Sequence, residues 1–215
     1  MVYEISRQLI NGLKALHLMQ VVHFDPKPEN ILVDPKKGKI KFIDFGSSWY
    51  SGSHSLRYKE CEEWILSERG TAEYKAPELF CHELNPGPVV NENIVAQARW
   101  ADIWSLGQTL FALLTGSMFL DSPVFRLYLS SQKITKSFTS KEIDKMWNSD
   151  WKLLASKFPG GKIPVDLFAV REHWAWKFKQ DYPVHYDALV VAIENMLSLI
   201  PANRRLVVLP KVCSK

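Results

Sequence analysis

Between positions 23 and 34 the chain sets an acid, a cation and an amide close together: His23-Phe24-Asp25-Pro26-Lys27-Pro28-Glu29-Asn30-Ile31-Leu32-Val33-Asp34. Asp25, Lys27 and Asn30 are the reactive types there, enclosed by apolar residues, and a second acid follows in Ile43-Asp44-Phe45-Gly46. Side chains of these kinds serve proton transfer, phosphate contact and ligation of hard cations through oxygen. Asp and Asn also cap turns through hydrogen bonds to nearby backbone. For an isolated acid and amide five residues apart, the two readings stand level.

The elements that must position these side chains show in the apolar pattern. Ile5, Leu9, Leu13, Leu16 and Leu18, separated by Ser6, Arg7, Asn11 and Lys14, predict an amphipathic helix over residues 3–20, roughly 27 Å long at about 1.5 Å per residue. Val21-Val22 leads from it into the loop. Two short strands are expected at 31–33 and 40–43, joined by a turn through Asp34-Pro35-Lys36-Lys37-Gly38, whose Asp, Pro and Gly favour a hairpin. That hairpin would hold the two acidic stretches side by side. Residues 46–69 read as a long loop, and order returns at Gly70-Thr71-Ala72-Glu73-Tyr74-Lys75-Ala76-Pro77-Glu78-Leu79. Residues 85–88, with Pro86, Gly87 and Pro88, read as loop. The run 100–114 is strongly apolar with Asp102 and Ser105 embedded, which predicts a buried helix ended at Gly116. A short helix is expected at 123–130 and a further helix at 141–158, the latter with Ile143, Trp147, Trp151 and Leu154 on one face and broken by Pro159-Gly160-Gly161. A last amphipathic helix is expected at 186–199, before Pro201. There are no internal repeats.

Composition narrows the class. With 215 residues, 47% hydrophobic and 23% charged, the chain has the means to bury a sizeable core. The net charge of +4 is spread with both signs interspersed, and Lys36-Lys37-Gly38-Lys39 reads as a solvated turn, so no nucleic-acid partner is expected. Cys61, Cys81 and Cys213 have no metal-type spacing and suit a reducing, intracellular setting, cytoplasmic or nuclear. No 18-residue apolar run and no signal-peptide pattern occur, so no membrane association is expected.

The order and spacing of these stretches resemble the eukaryotic protein kinase family, of the Ser/Thr type. His23 to Asn30 is similar to its catalytic loop and Asp44-Phe45-Gly46 to its metal-binding motif. Ala76-Pro77-Glu78 is similar to the end of its activation segment, and Trp100-Ala101-Asp102-Ile103-Trp104-Ser105-Leu106-Gly107 to its central buried helix. Pro201-Ala202-Asn203-Arg204 is similar to a late motif of the family. The resemblance implies ATP and Mg²⁺ as cofactors and a protein as substrate. It implies that Asp25 orients the substrate hydroxyl or accepts its proton, and that Lys27 lies beside the transferring phosphoryl group. Asn30 and Asp44 would hold Mg²⁺, with Glu29 and Leu32 also on the nucleotide side, Leu32 as an adenine-floor residue. Thr71 would bond Asp25 and Lys27 and line the floor for substrate. Asp102 would bind backbone N–H groups of the catalytic loop, His23 would support that loop, and Arg204 would pair with Glu78. Lys27 marks the Ser/Thr group.

Two departures qualify the resemblance. Phe24 stands where many kinases have the Arg that pairs with a phosphate on the activation segment, so activity is expected not to depend strongly on phosphorylation of Ser47, Ser48, Ser51, Ser53, Ser55 or Ser67. Only 22 residues precede His23, and no Gly-x-Gly-x-x-Gly occurs. The expected fold is therefore a mainly helical (α+β) kinase-like C-terminal lobe with a short hairpin carrying both acidic loops, the N-terminal lobe being absent. Its parts would be 1–116 (catalytic loop, activation segment and central helix), 117–185 (an irregular helical insertion) and 186–215 (a C-terminal helix and tail). The expected activity is transfer of the ATP γ-phosphoryl group to protein Ser or Thr. A partner or the absent lobe would cover an exposed apolar nucleotide face. A non-catalytic kinase-like scaffold is the alternative, although the retained set Asp25, Lys27, Asn30 and Asp44 has no chemical purpose in one. Trp147, Trp151, Trp174 and Trp176 either form a docking surface or are buried within a local cap.

Overall fold

The computed structural model of the protein describes residues 1–52, 69–79, 94–116, 161–163, 165–166 and 173–211. The first helix, α1 (Val2–Leu18), buries Val2, Ile5, Leu9, Ile10 and Leu13. It stops two residues before the expected end because Gln20 takes a left-handed conformation, φ 62°, and its N–H bonds the carbonyl of His17 at 3.1 Å. Leu18 falls off the apolar seam and is exposed.

That reversal feeds β1 (Val21–Val22), which pairs antiparallel with β4 (Trp49–Tyr50) in the register Val21↔Tyr50 and Val22↔Trp49. The sequence pattern predicts a plain lead-in at 21–22 and a loop over 46–69. A two-residue ladder is too short to leave a period-2 pattern, and what holds it is burial of Val22 and Trp49.

β2 (Ile31–Asp34) and β3 (Lys39–Phe42) form the expected hairpin, with Ile31 opposite Phe42 and Asp34 opposite Lys39. Its turn is built by the Asp34 carboxylate, which accepts the N–H groups of Lys36 and Lys37 at 2.9 and 3.1 Å, and by Gly38 at φ +59°. Gln8 on α1 clasps the hairpin, donating to the Gly38 carbonyl at 2.7 Å and accepting from the Ile40 N–H at 3.2 Å. Gly12 lets Phe42 lie against α1, since a Cβ there would stand 2.9 Å from the Phe42 ring.

The central helix α2 (Ile94–Thr115) starts earlier than the apolar run predicts and is buried along most of its length. Gln97 and Arg99 interrupt that run, yet Ala98 continues the buried face. Gly116, at φ +81°, ends it as expected, its N–H bonding the Ala112 carbonyl at 2.7 Å. α3 (His173–Asp181) and α4 (Pro183–Met196) follow. α4 begins three residues before the expected start because Pro183 is tolerated in a first turn, and it ends three residues before the expected end, at Met196. Gly107 brings α2 against α4, a Cβ there lying 2.8 Å from Met196. Trp174 and Trp176 are half-exposed on α3. The expected helices at 123–130 and 141–158, the loop at 85–88, Trp147 and Trp151, and the three cysteines lie outside the described residues. Among the described residues, no helix is long and apolar enough to cross a membrane.

Candidate active site

The site is built outward from α2. Asp102 is fully buried there, and both its oxygens are spent on the loop after β1: Oδ2 accepts the His23 N–H at 2.8 Å and Oδ1 the Phe24 N–H at 2.6 Å. His17, at the end of α1, brings Nε2 to Oδ2 at 2.9 Å. A buried carboxylate met by several donors offsets its lost hydration. Seven positions along α2, Thr109 donates to the Pro26 carbonyl at 2.7 Å, and Ser105 between them donates to the Tyr74 carbonyl at 2.8 Å. One face of a core helix thus holds two separate loops.

Held this way, the loop turns sharply. Phe24 is buried at φ 65°, an uncommon conformation for a bulky residue. Gly70, at φ +85°, passes close behind it, and a Cβ there would stand 2.5 Å from the Phe24 carbonyl oxygen. His23 accepts the Asp25 N–H on Nδ1 at 3.3 Å and meets the Ile43 carbonyl through Nε2 at 3.2 Å.

The loop brings Asp25, Lys27, Asn30 and Thr71 together. Asp25 is 8% exposed; its Oδ1 accepts the Thr71 N–H at 2.9 Å, and its Oδ2 faces Asn30 Nδ2 at 3.0 Å and Lys27 Nζ at 3.2 Å. Lys27 also donates to the Thr71 hydroxyl at 2.5 Å. Asn30 Nδ2 reaches the Asp25 carbonyl too, at 2.9 Å. With its amide nitrogen committed to Asp25, the Asn30 side-chain oxygen is turned away from it. The Asn30 carbonyl in turn accepts the Ile43 N–H at 2.9 Å, which sets Asp44 next to the same residue. Asp44 is exposed at φ 57°, with Oδ1 on the Gly46 N–H at 3.1 Å. Oxygen donors of this kind, one amide and one carboxylate, suit a hard cation such as Mg²⁺, which keeps several waters and the substrate's own oxygens.

Other expected site residues take different positions. Glu29 is exposed beside Asn30. Leu32 is 54% exposed on β2, and Val33 and Phe45 are also exposed, the Phe45 ring lying 4.8 Å from that of His23. Arg204, fully buried, holds Glu78 with two bonds at 2.5 and 2.7 Å, donates to the carbonyls of Ser198 and Trp100, and lies over the Trp104 ring at 4.8 Å. Tyr74 is buried, and that burial, with the charges of Glu29, Glu73 and Asp25, pushes its phenol up to about 12.

Sequence reasoning missed His17, Thr109 and Arg69. The signal for Thr109 was present, since Asp102, Ser105 and Thr109 follow a helical i, i+3, i+7 spacing inside an apolar run. Arg69 donates to the Ser47 and Ser48 carbonyls at 2.7 and 2.6 Å and stands over the Phe24 ring at 5.7 Å. Nothing local in sequence marks that contact.

Comparison with known proteins identifies the family. The protein kinase domain family matches residues 1–204, and the chain belongs to that family. Serine/threonine-protein kinase 17A of Oryctolagus cuniculus is 31% identical over 151 residues, covering 69% of this chain and 33% of the relative. CBL-interacting protein kinase 5 of Oryza sativa subsp. japonica is 33% identical over 182 residues, 82% of this chain and 34% of the relative. The chain thus spans about a third of the length of these curated relatives. Among solved structures, the Rad53 kinase domain with SCD2 in complex with AMPPNP aligns with a TM-score of 0.50 at 20% identity, covering 95% of this chain and 54% of that one. The fold is protein-kinase-like.

Proposed function

We propose that this chain supplies the catalytic and substrate-holding part of a Ser/Thr protein kinase, which transfers the γ-phosphoryl group of ATP to a protein Ser or Thr hydroxyl. The observation that carries this reading is the convergence of Asn30, Lys27 and the Thr71 N–H on the Asp25 carboxylate. Phosphoryl transfer asks for orientation of the nucleophile and neutralisation of charge rather than covalent help from the protein.

In this reading Asp25 orients the incoming hydroxyl and takes its proton. Lys27, tethered between Asp25 and Thr71, lies beside the phosphoryl group in flight, and Thr71 forms the floor on which the substrate backbone rests. Asn30, through its side-chain oxygen, and Asp44, through its carboxylate, would hold Mg²⁺, which when bound neutralises the phosphate oxygens. Glu29 and Leu32 flank that nucleotide side.

We also infer that the chain corresponds to the C-terminal lobe of such a kinase. Support comes from its 54% coverage of the Rad53 kinase structure, from the absence of a Gly-x-Gly-x-x-Gly stretch, and from apolar Leu32, Val33 and Phe45 exposed together with Asp44. A further protein surface, from an N-terminal lobe or a partner, completes the nucleotide site.

The test is phosphoryl transfer from ATP with Mg²⁺ to a mixed pool of Ser, Thr and Tyr peptides, by this chain together with the N-terminal lobe or partner that completes its nucleotide site. Label is expected on Ser and Thr, and Asp25→Asn is expected to lower the rate by about 10²- to 10⁴-fold. Label confined to Tyr, or an Asp25→Asn variant as active as the parent, would overturn the proposal.

A further inference from the structure

On the side of α1 away from the hairpin, α1, the first turns of α2 and the segment after the Pro201–Asn203 turn line an open recess of about 440 Å³. Cavities of about 300–1,000 Å³ are the size that accepts small organic molecules. Its walls are apolar at Leu18, Val95 and Ile103, while Lys14, Arg99 and Arg205 contribute cationic heads. Arg204 also borders it but is taken up by Glu78. Among the described residues neither Asp nor Glu lines it.

Among the described residues the three cations have no counter-charge. Lys14 is exposed and has no hydrogen bond or ion pair among the described residues. Among the described residues the Arg205 guanidinium meets the backbone carbonyls of Ala202 and Arg204, at 3.2 and 3.4 Å. Arg99 donates through Nη2 to the His17 carbonyl at 2.8 Å, and its Nε is buried with no hydrogen-bond partner among the described residues. A buried guanidinium N–H without an acceptor carries a desolvation cost that an entering anion would relieve. Three like charges around one apolar recess also repel one another, and an anion there would turn that repulsion into attraction.

We propose that this recess is a binding site for an organic anion: a carboxylate or similar head among Lys14, Arg99 and Arg205, carried on an apolar body that fills the space between Leu18, Val95 and Ile103. The inference does not rest on phosphoryl transfer, because none of these three cations belongs to the Asp25 cluster.

Isothermal titration of the full chain with 2-naphthoate, and with 2-naphthamide as its neutral isostere, tests it. The acid is expected to bind at one site and at least about tenfold tighter than the amide, a margin that shrinks as salt rises. Lys14→Ala with Arg205→Ala, both at exposed positions, should remove that margin and leave amide binding unchanged. Val95→Trp, which fills the recess, should abolish binding of both. No binding of 2-naphthoate, equal affinity for acid and amide, or acid affinity that survives both variants would overturn the proposal. Thermal unfolding of each variant separates loss of the site from loss of the fold.

Discussion

Asp102 gives both carboxylate oxygens to backbone N–H groups of a loop nearly eighty residues earlier in the chain. Asp102→Ala would leave those two buried donors and His17 without an acceptor, and is expected to cost about 3–5 kcal/mol of stability, read as a lower urea midpoint at unchanged slope. Gly70 is equally constrained. Gly70→Ala places a methyl 2.5 Å from the Phe24 carbonyl at a left-handed φ, so a loss of about 1–3 kcal/mol is expected, with phosphoryl transfer falling further because Thr71 is displaced. Phe24 itself carries no charge to meet a phosphate. Phosphatase treatment is therefore expected to leave activity unchanged, and an abolished rate would contradict that. Asp25, Lys27 and Asn30 were legible in sequence because they lie within six consecutive residues. His17 was not, because its partner Asp102 is 85 positions away and a histidine ending a helix has many other uses.

At the scale of elements, α1, the hairpin and the core of α2 were readable because each buries one periodic face. The β1–β4 ladder and the first turns of α2 depend on distant packing instead. Two distant stretches are joined by the Glu78–Arg204 clasp, whose partners lie 126 positions apart. A lysine at 204 cannot reproduce the planar fork that serves Glu78, Ser198 and Trp100 together. Arg204→Lys is expected to cost about 2 kcal/mol or more, seen as a lower Tm. α4 carries a titrating group: burial pushes the Glu194 carboxyl above the ordinary 4.5, although the Val165 and Asp166 N–H groups pull it partly back. A raised value means the folded state holds this proton more tightly than the unfolded chain does. That contribution favours the fold at low pH and is lost as pH climbs from 4.5 through the folded value. Glu194→Gln keeps an acceptor for Val165, so its Tm relative to the parent should be higher at about pH 7 than at about pH 4.

For the molecule as a whole, the described residues combine the Asp25, Lys27, Asn30 and Thr71 cluster, which we propose serves phosphoryl transfer, with an exposed apolar margin at Leu32, Val33 and Phe45. Without a glycine-rich loop in its 215 residues, the chain on its own is expected to show no measurable rise in Tm with ATP and Mg²⁺. A ligand present at a hundred times its Kd would add about 2.7 kcal/mol. The overall class was legible because several motifs follow one another in order; the shape of the cationic recess was not, because Lys14, Arg99 and Arg205 come from three remote stretches. The Asp102 anchorage has a last implication for how variation in this protein would be tolerated. Since the reactive loop hangs from the innermost helix rather than from the surface, a change that loosens the interior disarms the chemistry before the chain melts. Partly active yet stably folded variants should be scarce among substitutions in the interior, and common on the outer faces of α3 and α4.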